Sequence, residues 1–200
     1  EEETTEDFER MAGILDGSDK EYLDMSVFHH VKTRLPWLML LMVELMIIGV
    51  IITQFEEMLS KVIVLVSYLP LLMGTGGNCG NQAATLIIRG MTVGELEPSD
   101  AFKVLWKEFR VSFIVGLVLS IINIVKILFI DRQSLIIALT VGASMLIIVA
   151  LAKIIGGLLP MGAKKIGVDP ALMANPMISS LTDMVSVLTY FFLATLLLGI

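Results

Sequence analysis

Long apolar runs dominate this sequence and leave it few folds to choose from: Leu35–Thr53, Val111–Ile130, Ser134–Pro160 and Met177–Ile200. Each is near or above the roughly 20 residues that an α-helix needs to cross a bilayer. A fifth run, Val62–Met73, is too short alone but continues through a glycine-rich polar stretch into Ala83–Ile88. The sequence therefore predicts an all-α membrane protein with five transmembrane helices. Charged residues make up only 17% of the chain, where a soluble domain carries about 25%. No basic segment leads into the first run and no small-residue cleavage site follows it. It reads as a retained helix and not a signal peptide.

Charge divides the chain into two parts. Residues 1–24 hold ten acids against Arg10 and Lys20, a net −8, whereas the rest nets +2. Residues 1–34 read as an acidic cytoplasmic leader with a short amphipathic helix near Glu6–Leu15, and residues 35–200 as the five-helix transmembrane domain. The opening Glu-Glu-Glu points to a start inside a longer gene product. No basic nucleic-acid footprint is present, and a single cysteine, Cys79, excludes an internal disulfide framework.

The first helix is expected to start at Pro36, and the second to break near Pro70 and Gly74–Gly80. Asp100–Arg110 reads as a surface helix leading into the third span, and Asp131–Gln133 as a tight turn. With the leader inside, nine Lys/Arg (Lys32, Arg34 and Arg89 among them) fall on the cytoplasmic side. Only Lys61, Lys126 and Arg132 fall on the other. The positive-inside bias sets the N-terminus in the cytoplasm and the C-terminus outside, in the plasma (inner) membrane.

Polar side chains at membrane depth are costly, and their positions carry the functional information. On the fifth span Asn175, Ser179 and Asp183 recur at i, i+4 and i+8, along one slowly drifting face. Asp183 lies about 12 Å beyond Asn175 at 1.5 Å per residue, where a carboxylate requires a cation, a paired base or a water-filled cavity. The bland alternative is a structural acid paired to Lys126 or Lys153, the only bases within apolar runs.

In the second span, Gly74, Gly76, Gly77 and Gly80 alternate with Asn78, Asn81, Gln82 and Thr85. Four glycines would disrupt a helix that had no use for them, so this segment is expected to unwind and line an aqueous path. Gly77 and the three amides, with Thr85, are the expected lining. Close helix packing through Gly76 and Gly80 is the alternative. Glu44, midway along the first span, is expected to serve an interhelical contact. Lys126 is expected to snorkel outward, Cys79 to act as a small packing residue, and His29 and His30 to lie at the interface.

Oxygen ligands without a thiolate pair favour a hard cation such as Mg²⁺, Ca²⁺ or Mn²⁺. One Asp per chain is too little charge for a divalent ion. A two-fold homodimer with the fifth helix on its axis would bring two Asp183 carboxylates together around one.

The run Pro70-Leu-Leu-Met-Gly-Thr-Gly-Gly-Asn-Cys-Gly-Asn-Gln-Ala-Ala-Thr85, followed by Arg89, Gly94-Glu95, Asp169-Pro170, Asn175-Pro176 and Asp183, resembles the transmembrane domain of the MgtE magnesium channels. The likeness covers about residues 30–200. It implies a homodimer with a central pore that passes hydrated Mg²⁺ down its gradient, with no organic cofactor and no enzymatic activity. By resemblance, Asp183 looks like the pore aspartate, Ser179 stands where a backbone carbonyl is offered, and Asn175 is a pore-mouth amide. Asn81 and Thr85 match polar positions of the second helix. Asp169 resembles a gating acid, and Glu6, Asp7 and Glu9 resemble the end of a helix linking to upstream regulatory domains. Those domains, absent from this sequence, sense intracellular Mg²⁺ in the family. The rival readings are an ion-coupled secondary transporter using Asp183, and a scaffold membrane protein that tolerates its loss. An intramembrane aspartyl protease would need a paired acid motif that Glu44 and Asp183 do not form.

Overall fold

A computed structural model describes residues 22–173 and 176–199, together with Ala12 and Ile14. The described chain is helical: α1 (Val27–Gln54), a short α2 (Glu56–Lys61), a 3₁₀ segment (Ile63–Tyr68), α3 (Leu69–Thr92), α4 (Ala101–Phe129), α5 (Leu135–Lys165) and α6 (Pro176–Leu198). Short 3₁₀ turns at Pro98–Asp100 and Pro170–Met173 lead into α4 and α6. Among the described residues, five helices are long and apolar enough to cross a membrane: α1, the 3₁₀ segment with α3, the Pro98–Phe129 unit containing α4, α5, and α6. The chain is an integral membrane protein.

The helix limits differ from the sequence reading for identifiable reasons. Helix α1 starts nine residues before Pro36 because the Ser26 hydroxyl caps it, accepting from the His29 N–H at 3.2 Å. Pro36 is accommodated inside the helix, where it removes the hydrogen bond to the Lys32 carbonyl. The stretch Asp100–Arg110 is no separate surface helix, because Ala101–Phe129 is continuous. The tight turn at Asp131–Gln133 is present, with Arg132 in the left-handed region at φ 53°.

Helix α5 is the hub, touching α3, α4 and α6, while α1 leans on the bundle through α6. The α4–α5 seam inverts the pattern of a soluble protein. Glu108, Ser112, Gly116, Ser120 and Asn123 of α4 are buried, while Ile114, Val118, Ile121 and Ile122 are exposed. Lipid is as apolar as leucine, so small and polar residues bring helices together here while large apolar ones face outward. The Ser120 hydroxyl donates to the Gly142 carbonyl at 2.8 Å across this seam.

Beside the 3₁₀ segment, Leu65, Tyr68, Leu72, Met145, Ile148, Val187, Tyr190 and Phe191 form the apolar core. The buried Tyr190 hydroxyl donates to the Leu65 carbonyl at 3.0 Å, satisfying an acceptor outside the regular helix. At the same end, Tyr68 donates to Asp131 Oδ2 at 3.0 Å and Lys126 donates to it at 2.6 Å. The Lys126 ammonium also lies 5.5 Å from the Tyr68 ring centroid. Lys126 thus folds back onto the α4–α5 turn and ties it to the start of α3.

Candidate functional site

The glycine-rich segment does not unwind. Leu69–Thr92 is one α-helix through Gly74–Gly80, which overturns the expected break there; the change of helix type falls before Leu69, at the Ile63–Tyr68 segment. Gly76 and Gly80 are needed for contact. A Cβ on Gly76 would stand 2.6 Å from Ser186 Oγ, and one on Gly80 2.8 Å from Ile178 Cγ2 and 3.2 Å from the Ala152 carbonyl oxygen. The closest approach joins Gly80 to α5, where a Cβ on Gly156 would collide with the Gly80 carbonyl oxygen. Around Gly80, α3 therefore meets α5 backbone to backbone while Ile178 and Thr182 of α6 pack over it, and that tight contact lets the helix survive its glycines.

With the small residues turned inward, the polar ones share the remaining face. Asn78, Asn81, Gln82 and Thr85, with Leu86, line a groove of about 610 Å³. Asn78, Gln82 and Thr85 are exposed and Asn81 is half-buried. Gly77 is buried beside Ser179 and Thr182 and does not line this groove; its lack of a side chain lets α6 approach.

Helix α6 completes the site. The Asn81 amide Nδ2 donates to Ser179 Oγ at 2.9 Å, and the Asn81 carbonyl oxygen Oδ1 is buried without a donor among the described residues. Asp183 stands one turn further along α6, about 6 Å in helical rise. It is half-buried, with no ion pair or hydrogen bond among the described residues. Neither intramembrane lysine serves it, since Lys126 pairs with Asp131, and Lys153 lies 4.0 Å from Glu108. The neighbour it does have is another acid: α1 brings Glu44 beside Ser180 and within electrostatic reach of Asp183, with Glu44 Oε1 buried and unbonded.

Asp169 lies apart from this group, on the α5–α6 connection, where its Oδ1 accepts from the Ala171 N–H at 2.9 Å. It lines a separate cavity of about 110 Å³ with Lys164, whose ammonium donates to the Met91 carbonyl at 3.2 Å. Asn175, Glu6, Asp7 and Glu9 lie outside the described residues, and of the Glu6–Leu15 leader helix only Ala12 and Ile14 are described, neither of them helical.

The Glu108–Lys153 pair is not apparent from the sequence, where Glu108 reads as part of a surface helix. The signal was the stripe Glu108, Ser112, Gly116, Ser120 at intervals of four, which marks a packed face in a membrane helix. Among the described residues no three His, Cys, Asp or Glu side chains converge on one point. One chain offers amide and hydroxyl oxygens and the neighbouring carboxylates of Glu44 and Asp183, a donor set for a hard cation that keeps its water.

Five helices of spanning length among the described residues, with an acid that has no basic partner there one turn from the Asn81–Ser179 bond, define a helical integral membrane protein. The sequence model of the MgtE family, described as a divalent cation transporter, matches residues 69–193, and the chain belongs to that family. It is 38% identical over 198 residues to the magnesium transporter MgtE of Thermus thermophilus, a match covering 99% of this chain and 43% of that protein. The magnesium transporter MgtE of Bacillus subtilis is 33% identical over 194 residues, covering 96% of this chain and 42% of its own length. That of Enterococcus faecalis is 28% identical over 195 residues, covering 98% and 42%. The chain thus spans less than half the length of these curated relatives.

Proposed function

We propose that this chain is the membrane domain of a Mg²⁺ channel that admits the hydrated ion to the cytoplasm down its electrochemical gradient. The observation that carries the reading is Asp183: an acid inside a span, without a basic partner among the described residues, one turn from the Asn81–Ser179 bridge. Mg²⁺ sheds water reluctantly and favours six octahedral ligands. Six waters at about 30 Å³ each occupy about 180 Å³, well within the 610 Å³ of the amide-lined groove. Amides and hydroxyls can hydrogen-bond that shell while carboxylates supply the charge.

One Asp183 half-neutralises a divalent ion, so the pore is a homodimer with helix α6 of each subunit at the two-fold axis. Asn175 and Ser179 stand on the cytoplasmic approach to Asp183, and Asn78, Asn81, Gln82 and Thr85 line the wall. The positive-inside bias supports a cytoplasmic N-terminus and an outside C-terminus in the plasma membrane. Residues 1–34 are the linker to cytoplasmic regulatory domains, with Glu6, Asp7, Glu9 and Asp169 as gating acids, and residues 35–200 are the pore domain. The relatives' greater length and their printed name, magnesium transporter, support this division and this cargo.

The test is Mg²⁺ entry into proteoliposomes carrying the wild-type chain or Asp183→Ala. Flux in wild type that disappears in a folded, dimeric variant supports the reading; equal flux in both removes Asp183 from the path. Flux that collapses with the pH gradient would replace the channel by an ion-coupled transporter of divalent cations.

A further inference from the structure

Where α1 enters its apolar run, a groove of about 360 Å³ opens beside the helix. Tyr22, His30 and Arg34 line its polar part, and Val27, Val31, Leu35 and Leu38 its apolar part. The apolar four recur at i, i+4, i+8 and i+11 and so form one stripe down the helix. A cavity that is polar above and hydrocarbon-like below matches an amphiphile.

The polar end is built in a defined way. His30 Nε2 lies 3.3 Å from the Tyr22 carbonyl oxygen, which can only accept, so Nε2 carries the proton. Nδ1 is then an acceptor, and it takes the Nη2–H of Arg34 at 3.3 Å. The Tyr22 ring lies against the imidazole with centroids 4.8 Å apart. This neutral histidine orients the guanidinium without neutralising it. Arg34 Nε is buried and donates to nothing, and no carboxylate pairs with Arg34 among the described residues.

A guanidinium does not lose its charge in a protein, so a buried, unmet N–H beside an uncompensated cation calls for an anion. The planar donor edge of arginine matches phosphate with two parallel hydrogen bonds. Exposed Lys32 adds positive charge on the same turn. Arg34 immediately precedes Leu35, the first residue of the apolar run, which sets it at headgroup depth. Basic pockets at that depth suit lipid headgroups.

We propose that this groove binds one anionic phospholipid, its phosphate on the guanidinium of Arg34 and an acyl chain along Val31, Leu35 and Leu38. The test is native mass spectrometry of the full chain in detergent, loaded with phosphatidylglycerol or with phosphatidylcholine. Wild type is expected to retain phosphatidylglycerol over phosphatidylcholine by about tenfold, equivalent to about 1.4 kcal/mol. Arg34→Gln is expected to retain the two equally, with its thermal unfolding unchanged. His30→Ala keeps the charge but loses its orientation, and is expected to fall between them.

Equal preference in wild type and Arg34→Gln would overturn the proposal. If Arg34→Gln does not fold, His30→Ala decides, and an undiminished preference there overturns it. Millimolar inorganic phosphate is expected to leave the lipid bound; displacement by phosphate would mark a soluble-anion site instead.

Discussion

The Asn81 amide donates a 2.9 Å hydrogen bond to the Ser179 hydroxyl, and through it the amide face of α3 is fixed to the acid-bearing face of α6. That bond sets where the groove stands relative to Asp183. Asn81→Ala and Ser179→Ala are each expected to cost about 1 kcal/mol of stability. The double variant is expected to cost little more than either, because both remove the same bond. Mg²⁺ flux is expected to fall in Asn81→Ala by more than its stability loss explains. A double-mutant cycle by thermal unfolding in detergent, run beside proteoliposome flux, checks both parts.

The glycines of α3 and α5 are expected to divide sharply. Gly74 faces open space, so Gly74→Ala is expected to stabilise the helix by up to about 1 kcal/mol. A methyl on Gly156 meets the Gly80 backbone, which cannot rotate away, and one on Gly80 meets Ile178, Thr182 and the Ala152 carbonyl. Both are expected to destabilise by about 1–3 kcal/mol or more. Comparable unfolding temperatures for all three alanine variants would contradict the packing role.

The Glu108–Lys153 pair spans α4 and α5 at 4.0 Å, with side chains 11% and 7% exposed. Removing one partner of a buried pair costs about 3–5 kcal/mol, because it strands the other charge. The 4.0 Å separation is loose, so Lys153→Met is expected near the lower end. Adding Glu108→Leu is expected to recover most of that loss, since the stranded charge is gone. Unfolding of the single and double variants measures the difference.

Acid is expected to loosen the α4–α5 turn only at low pH. The hydrogen bond from Lys126, reinforced by that from Tyr68, holds the Asp131 carboxyl below its usual value of 3.8. A carboxyl depressed in the folded state contributes stability that is present above its unfolded pKa and lost as pH falls through the folded one. The contribution is therefore complete at neutral pH and disappears below about pH 3.8. Asp131→Asn is expected to lower the unfolding temperature at pH 7 and to abolish this acid-dependent component. Parallel pH series for the two proteins would reveal it.

Much of the architecture was legible from the sequence. The five spans appear close to their expected positions, because insertion into a bilayer follows the length and apolarity of each run. Asn81, Ser179 and Asp183 stood out because amides, hydroxyls and acids are rare and costly at that depth. The helix ends were less legible. The Ser26 cap that starts α1 is a local hydrogen bond, and Pro36 offered an equally plausible start.

The glycine segment shows the limit most clearly. Gly74–Gly80 fits an unwound strand and a packed helix equally well as a string of letters, and the choice depends on what opposes each glycine. Gly156 sits against the Gly80 carbonyl and Ser186 fills the space over Gly76, and neither approach is a property of α3 alone. Glu108 likewise looks solvated until α4 turns its small-residue stripe toward α5 and Lys153.

The sequence by itself determined that this chain lives in a membrane, how many times it can cross, and which residues would be costly there. Transfer from water to lipid acts on each segment separately, so these properties add along the chain. Only the tertiary structure decided which costly residues are met. Lys153 found Glu108, Asn81 found Ser179, and Asp183 was left without a basic partner among the described residues. Partners inside a bilayer are chosen by steric fit between helices and by the geometry of individual hydrogen bonds, and both exist only once the helices have come together.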